Sequence, residues 1–290
     1  MFKYEIESKS LTPKDVFECG QCFRWDENDD GSYTGVFKDC VLTVKKHGDK
    51  ITFCGINKEK DFEKFKNDII DYFDLNRDYE TIKNKLSKID DNLKKSVEYG
   101  SGIRILNQEL FETIISFIIS ANNNIPRIKG IIKRISENYG EQIEFNGNIF
   151  YTFPTVEELS KASVEDLRKL GLGFRDKRVY DTCQMIKNKE IDLENLSKLD
   201  TKDLRIVMMK FPGVGPKVCD CILLFSTLKR FDVFPIDVWV RRVMNELYIH
   251  NPDENKVSKI QIQKLADEKY GDLQGLAQQY LFYWERSLNK

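Results

Sequence analysis

Pro212-Gly213-Val214-Gly215 interrupts two apolar helical patterns, Leu204–Phe211 before it and Pro216–Leu228 after it. Two helices joined through so short a turn must fold back on each other, which few architectures permit. Gly213 and Gly215 can take positive φ, letting successive backbone N–H groups converge on one anion. Pro216 suits a first helical position, and the helix start adds its positive dipole end. A nucleic-acid phosphate fits there. A plain helix corner with a glycine cap is the competing reading; P-G-V-G-x-K after an apolar helix favours the phosphate.

Lys217 falls in the first turn of the second helix, where the dipole and partial burial both disfavour an ammonium ion. A neutral amine is a nucleophile, and lysine is the residue that forms Schiff bases. Spacing alone leaves a phosphate-binding or surface lysine equally open. Twenty positions on, Asp237 follows Phe234-Pro235-Ile236 and precedes a helical run. It reads as an N-cap. Backbone donors to a carboxylate favour its ionised form, the form needed beside a developing oxocarbenium ion, so one residue can fill both roles.

Two further turns carry weaker signals. Asn122-Asn123-Asn124 closes an apolar helix and reads first as a structural turn. Gly171-Leu172-Gly173-Phe174-Arg175 displays an aromatic beside an arginine, a pairing suited to wedging into a base stack. Other chemistries lack parts. His47 and His250 are the only histidines, which leaves little for a Ser/His/Asp triad or a His-rich zinc site. Cys19-Gly20-Gln21-Cys22 has neither a second pair at zinc spacing nor the βαβ context of a thioredoxin motif.

The hydrophobic period divides the chain. Cys22–Trp25, Tyr33–Phe37, Val41–Val44 and Ile51–Cys54 are short runs separated by turn residues, predicting an antiparallel meander. From Asp61 the period is helical, and from about residue 105 every segment reads as helix. The expectation is an α+β fold: residues 1–104 hold an antiparallel sheet, and residues 105–290 are all-α. No apolar run is long enough for a membrane span. The N-terminus has no signal-peptide pattern, and seven cysteines, an odd count, suit a reducing prokaryotic cytoplasm.

The net charge of −1 counts mildly against a nucleic-acid partner. Residues 1–100 sum to −3, however, which leaves +2 on the remainder. Lys210, Lys217, Lys229, Arg230, Arg241 and Arg242 flank the hairpin and could form a local basic stripe, the alternative being an ordinary solvated face.

Taken in order, Cys19-Gly20-Gln21-Cys22-Phe23-Arg24-Trp25, Gly102–Gln108, Ser120–Ile125, Gly171–Arg175, the hairpin with Lys217 and Asp237, and Ala277–Phe282 resemble the 8-oxoguanine DNA glycosylase/lyases of the eukaryotic type. These belong to the helix–hairpin–helix DNA glycosylase superfamily. The likeness runs through nearly the whole chain and implies a TBP-like N-terminal sheet before a helical glycosylase domain. It also implies double-stranded DNA containing 8-oxoguanine as the partner and a monomeric enzyme.

Residue by residue, the resemblance makes Lys217 the nucleophile at C1′ and Asp237 the anion that stabilises the transition state. Cys221 and Phe282 would sandwich the flipped base and Gln278 would bond its Watson–Crick edge. The Gly20 carbonyl would accept the N7 hydrogen that guanine lacks. Asn122, Arg127 and Arg175 would read the cytosine left behind, with Phe174 in place of the family's tyrosine wedge. Gly213 and Gly215 would hold the phosphate, and the carbonyls of Met209, Phe211 and Val214 a structural cation.

The sequence departs from the family at Trp239, where a phosphate-contacting histidine is usual. No cysteine follows Asp237, so the iron–sulfur cluster of endonuclease III relatives is not expected, and the chemistry requires no cofactor. Two rival readings are a monofunctional alkyl-base glycosylase, which normally lacks the lysine, and a DNA-binding module without catalysis.

Overall fold

The computed structural model describes residues 1–288. The N-terminal sheet has five antiparallel strands: β1 (Phe2–Glu7), β2 (Trp25–Glu27), β3 (Tyr33–Phe37), β4 (Cys40–His47) and β5 (Lys50–Asn57). Their order is β1-β5-β4-β3-β2. The sequence reading lacked β1, although Phe2, Tyr4 and Ile6 alternate with charged residues. It pairs along its whole length, from Phe2 opposite Gly55 to Glu7 opposite Lys50. One face is covered by helix Phe62–Tyr72 and closed by aromatic packing. Phe17 stacks on Trp25 at 4.0 Å, Phe37 stacks on Tyr72 at 4.3 Å, and the Trp25 indole N–H donates to the Tyr72 hydroxyl.

The larger core is helical and reaches further back than residue 105. Tyr79, Leu86, Leu93 and Val97, on helices Tyr79–Ser87 and Asp91–Tyr99, belong to the same buried cluster as Ile114, Ile118, Phe211, Leu224 and Leu281. The C-terminal helix Gln274–Leu288 packs against Asp91–Tyr99.

The helical part also contains a hairpin, β6 (Gln142–Phe145) and β7 (Asn148–Tyr151), so the expectation of helix throughout is corrected there. Its turn is Asn146-Gly147, with φ of 50° and 74°. Positive φ at both central positions is the geometry that suits the right-handed twist of paired strands. Among the described residues no helix is long and apolar enough to cross a membrane.

The two cores are stitched where the site forms. Gln21 is fully buried, and its side chain donates to the carbonyls of Val16 and Arg104 and accepts from the Leu106 N–H. Gln108 donates to the Gln21 carbonyl at 2.7 Å and to the Phe225 carbonyl at 3.0 Å. A chain of buried hydrogen bonds therefore links the Gly20 turn to the end of the helix that begins after the glycine hairpin. Buried polar groups satisfied at every position fix geometry, because each lost partner costs about 1–3 kcal/mol.

Candidate active site

Helix Thr201–Met208 ends at the glycine hairpin, and helix Pro216–Phe225 starts behind it with Pro216 at its first position. Gly213 has φ +86° and is left-handed, as expected. Gly215 is not: its φ of −92° and ψ of −179° are extended backbone. It serves as the N-cap, and open space lies where a Cβ would stand, so a ligand can approach its backbone closely.

Lys217 lies one residue into the new helix and lines a cleft of about 780 Å³ with Asp237, Gly20, Phe282, Asn122 and Trp239. Asp237 caps helix Val238–Met244 by accepting the Val240 N–H at 2.8 Å. Its carboxylate is thus held by its own helix while it faces the amine. Across the cleft Gly20 has φ +88°, and a Cβ there would lie 3.7 Å from Phe282 Cε1. A planar base entering beside Gly20 meets the Phe282 ring.

Cys221 and Gln278 stand behind the cleft wall, 4% and 6% exposed. Cys221 is one turn after Lys217 on the same helix face and interacts with its amine. Gln278 is one turn before Phe282, and its buried Oε1 has no hydrogen-bond partner. An unpaired buried amide oxygen is costly and suits a donor supplied by a ligand.

The ionisation of Lys217 corrects the sequence argument. Its ammonium is held above the ordinary lysine value, first by the Cys221 sulfur and then by Asp237, against the opposing effect of burial. Burial pushes the Cys221 thiol up to about 11. The resting lysine is therefore charged, and it must lose a proton before it can attack. Neither the dipole nor partial burial decides the charge, because the Cys221 sulfur and then the Asp237 carboxylate act on the amine.

The residues expected at the opposite strand group as a ridge around the Asn122 and Gly171–Arg175 turns, and Asn122 also lines the cleft. Asn122 is exposed and left-handed, with φ 52°. Asn124 caps helix Ile125–Tyr139 by accepting the Arg127 N–H at 3.0 Å, which leaves the Arg127 side chain at the surface. Phe174 projects, 56% exposed, from the Gly171–Arg175 turn. Arg175 differs from expectation. It is 1% exposed, and its guanidinium donates to the carbonyls of Ala121, Asn122 and Leu172. Those bonds hold the Asn122 turn.

The sequence reading missed Arg178. Its side chain lies over the Phe174 ring, 5.2 Å from the centroid, and its Cδ would be 2.6 Å from a Cβ on Gly213. It therefore joins the aromatic wedge to the hairpin. Lys259 and Arg286 also line the cleft. No local pattern marks these three, because only long-range packing assembles them. Conversely, two of the expected basic residues point elsewhere: Lys229 pairs with Asp74 and Arg242 with Glu254. Trp239 is on the cleft wall, and its indole N–H is buried without a partner.

At the hairpin, the Phe211 carbonyl accepts the Val214 N–H at 3.0 Å, while Met209 terminates helix Thr201–Met208. Carbonyls at a helix end carry its negative partial charge, a donor set that suits a cation.

Comparison with known proteins places the chain in a family. Residues 3–114 match the N-terminal domain of 8-oxoguanine DNA glycosylase, and residues 115–268 match the HhH-GPD superfamily base excision DNA repair proteins. A probable N-glycosylase/DNA lyase of Methanothermobacter thermautotrophicus is 33% identical over 72% of this chain and 71% of its own. The N-glycosylase/DNA lyase of Saccharomyces cerevisiae is 29% identical over 89% of this chain and 74% of its own. The Clostridium acetobutylicum 8-oxoguanine glycosylase/lyase was solved with double-stranded DNA containing cytosine opposite 8-oxoguanine. It superposes with a TM-score of 0.90 at 44% identity, covering 100% of this chain and 99% of that one.

Proposed function

The chain belongs to the HhH-GPD superfamily of base excision DNA repair proteins, and we propose that it is a bifunctional glycosylase and lyase that removes 8-oxoguanine from double-stranded DNA. The observation that supports this most directly is the placement of the Lys217 amine and the Asp237 carboxylate in one cleft that Gly20 and Phe282 also line. The glycosidic bond is inaccessible within a duplex, so the base must first be flipped out. Phe174 fills the gap left in the stack, and Asn122 and Arg127 engage the orphaned cytosine.

Lys217 then loses its proton and its nitrogen lone pair bonds to C1′. The C1′–N9 bond breaks, and the base leaves with that electron pair and takes up a proton. Asp237 stabilises the positive charge that builds on the sugar. Opening of the sugar ring gives a Schiff base. Removal of a C2′ proton then expels the 3′-phosphate and nicks the strand.

Selection of the oxidised base rests on Gly20. Its carbonyl accepts the N7 hydrogen of 8-oxoguanine, whereas guanine would set an N7 lone pair against it. A site built on such a bond rejects the analogue lacking it by about 10⁴–10⁵. No step needs a cofactor. A cation on the carbonyls of Met209, Phe211 and Val214 would stiffen the hairpin against the phosphate.

The test is borohydride trapping on a duplex with 8-oxoguanine opposite cytosine. A covalent protein–DNA adduct should form with the native protein and vanish with Lys217→Gln. An adduct that survives that substitution sinks the lysine mechanism. Absence of any adduct with cleaved base still released favours a monofunctional glycosylase.

A further inference from the structure

We infer that Gln279 is a positioning residue that aims the Gly20 carbonyl at the base; this rests on the proposed role of Gly20 in reading the N7 hydrogen. Gln279 is 2% exposed, and its Nε2 donates to the Cys19 carbonyl at 2.5 Å. That carbonyl belongs to the peptide plane immediately before Gly20. A glycine at φ +88° has no side chain to prefer that conformation, so the turn must be held from outside.

The direction of the Gly20 carbonyl is set by the two peptide planes that flank its Cα. The downstream plane ends at the Gln21 Cα, which is held on both sides: its side chain bonds the backbones of Val16, Arg104 and Leu106, and Gln108 donates to the carbonyl of the plane that follows. Gln279 anchors the upstream plane from another element, the C-terminal helix.

That helix presents two adjacent faces. Gln278 and Phe282, four residues apart, form the face turned to the base pocket. Gln279 and Tyr283, also four apart, form the face that grips the N-terminal domain. The Tyr283 hydroxyl donates to Asp15, whose other oxygen accepts the Gly102 N–H. One rigid element thus carries the stacking ring and also ties down the turn with the discriminating carbonyl. The Gly20–Phe282 spacing, and with it the slot for the base, is fixed by a single helix.

A positioning role separates the two halves of the reaction. Reading N7 matters for excision, whereas β-elimination at an abasic site that already lacks its base does not use the Gly20 carbonyl. Gln279→Leu should slow single-turnover excision of 8-oxoguanine opposite cytosine by up to on the order of 10²-fold, the effect of about 1 Å of misplacement near a reacting centre. Its nicking of the same duplex carrying a preformed abasic site should match the native protein. Equal loss of both activities would assign Gln279 to general packing, and undiminished excision would remove it from recognition; either overturns the inference.

Gln279→Glu gives a second readout if the leucine variant folds poorly. Its carboxyl group can donate to the Cys19 carbonyl only when protonated. Excision relative to the native protein at the same pH should therefore recover as pH falls, and a flat ratio counts against the inference. A native protein that nicks abasic DNA yet leaves 8-oxoguanine in place would defeat the functional reading itself.

Discussion

Arg175→Lys discriminates between two ways an arginine can serve this site. The guanidinium lies at 3.0 and 2.6 Å from the Ala121 carbonyl through two nitrogens, 2.7 Å from that of Asn122 and 3.4 Å from that of Leu172. It also packs on the Phe174 ring, 4.2 Å from the centroid. A lysine keeps the charge but replaces a planar fork by a single point, so at least two of these bonds are lost. Charge-assisted bonds contribute about 1.5–3 kcal/mol each. The low end applies because Asn122 is exposed, which gives about 3 kcal/mol for two. At about 2–4 °C per kcal/mol for a chain of this size, the unfolding midpoint should fall by roughly 6–12 °C. Differential scanning calorimetry measures that directly. The same variant should lose its preference for cytosine opposite the lesion, because the left-handed Asn122 turn is no longer held. Arg127→Lys, at an exposed position, should weaken that preference without moving the midpoint. If Arg175→Lys unfolds at the native temperature while losing cytosine preference, Arg175 reads the base directly and the reasoning from its buried bonds fails.

Two other substitutions probe the hairpin and the domain junction. Gly213→Ala places a methyl group at φ +86° and 2.6 Å from Arg178 Cδ, so the backbone is strained by about 1–2 kcal/mol and Arg178 must move. Duplex affinity should fall for all sequences alike, and titrations at several salt concentrations should show a slope shallower by about 0.9 if one phosphate contact goes; an unchanged slope removes Arg178 from the interface. Lys229 is buried against Asp74, and burial is the main cause that lowers its value from 10.5 to about 8. The unfolded chain then binds more protons than the fold between those values, so this residue makes stability rise with pH from about 8 towards 10.5. Its contribution at pH 10 is about 2–3 kcal/mol relative to pH 7. Lys229→Met should abolish that rise while leaving Asp74 bonded to Arg77 and Tyr79; equal pH slopes in denaturant titrations of the two proteins would refute it.

What the sequence made legible was chiefly local. The glycine hairpin, the first-turn position of Lys217 and the cap at Asp237 follow from spacing and turn chemistry, and each stands where those rules put it. The hairpin at Asn146-Gly147 was equally local and was lost only because its strands are four residues each, too short to compete with the helical pattern around them. The misreadings share a different cause. Gly215 carries no sign of whether it caps in extended or left-handed form. The charge of Lys217 depends first on Cys221, one turn along the same helix, and then on Asp237, which the fold, not the spacing, brings opposite it. Arg175 looked like a displayed group because the turn displays Phe174, but adjacent side chains on a turn point apart, and this one points into the protein. The helices Tyr79–Ser87 and Asp91–Tyr99 precede the expected boundary at residue 105 yet share the helical core, and the second packs on the C-terminal helix, a partner nearly two hundred positions away.

The charge balance poses the remaining question, since a chain of net charge −1 is a poor match for a polyanion. The answer lies in where ion pairs form. On the N-terminal domain Lys38 pairs with Asp68 and Asp71, Lys45 with Asp30, and Lys64 with Asp39. Among the described residues Arg127, Arg175, Arg178, Lys217, Arg241, Lys259 and Arg286 form no ion pair within 4.0 Å. These seven are the cations of the ridge, the hairpin and the cleft. Acidic groups elsewhere neutralise the lysines around them, and these cationic groups are left without an ion-pair partner within 4.0 Å. The self-repulsion is visible at Arg175, whose guanidinium is held below its ordinary value by desolvation first and then by Arg127 and Arg178. Arginines kept so close together are unfavourable in the free protein, and a phosphate laid against the exposed Arg127 relieves part of that cost. Segregation of charge, rather than its sum, lets a nearly neutral chain hold DNA, and the same arrangement makes its affinity fall steeply with salt.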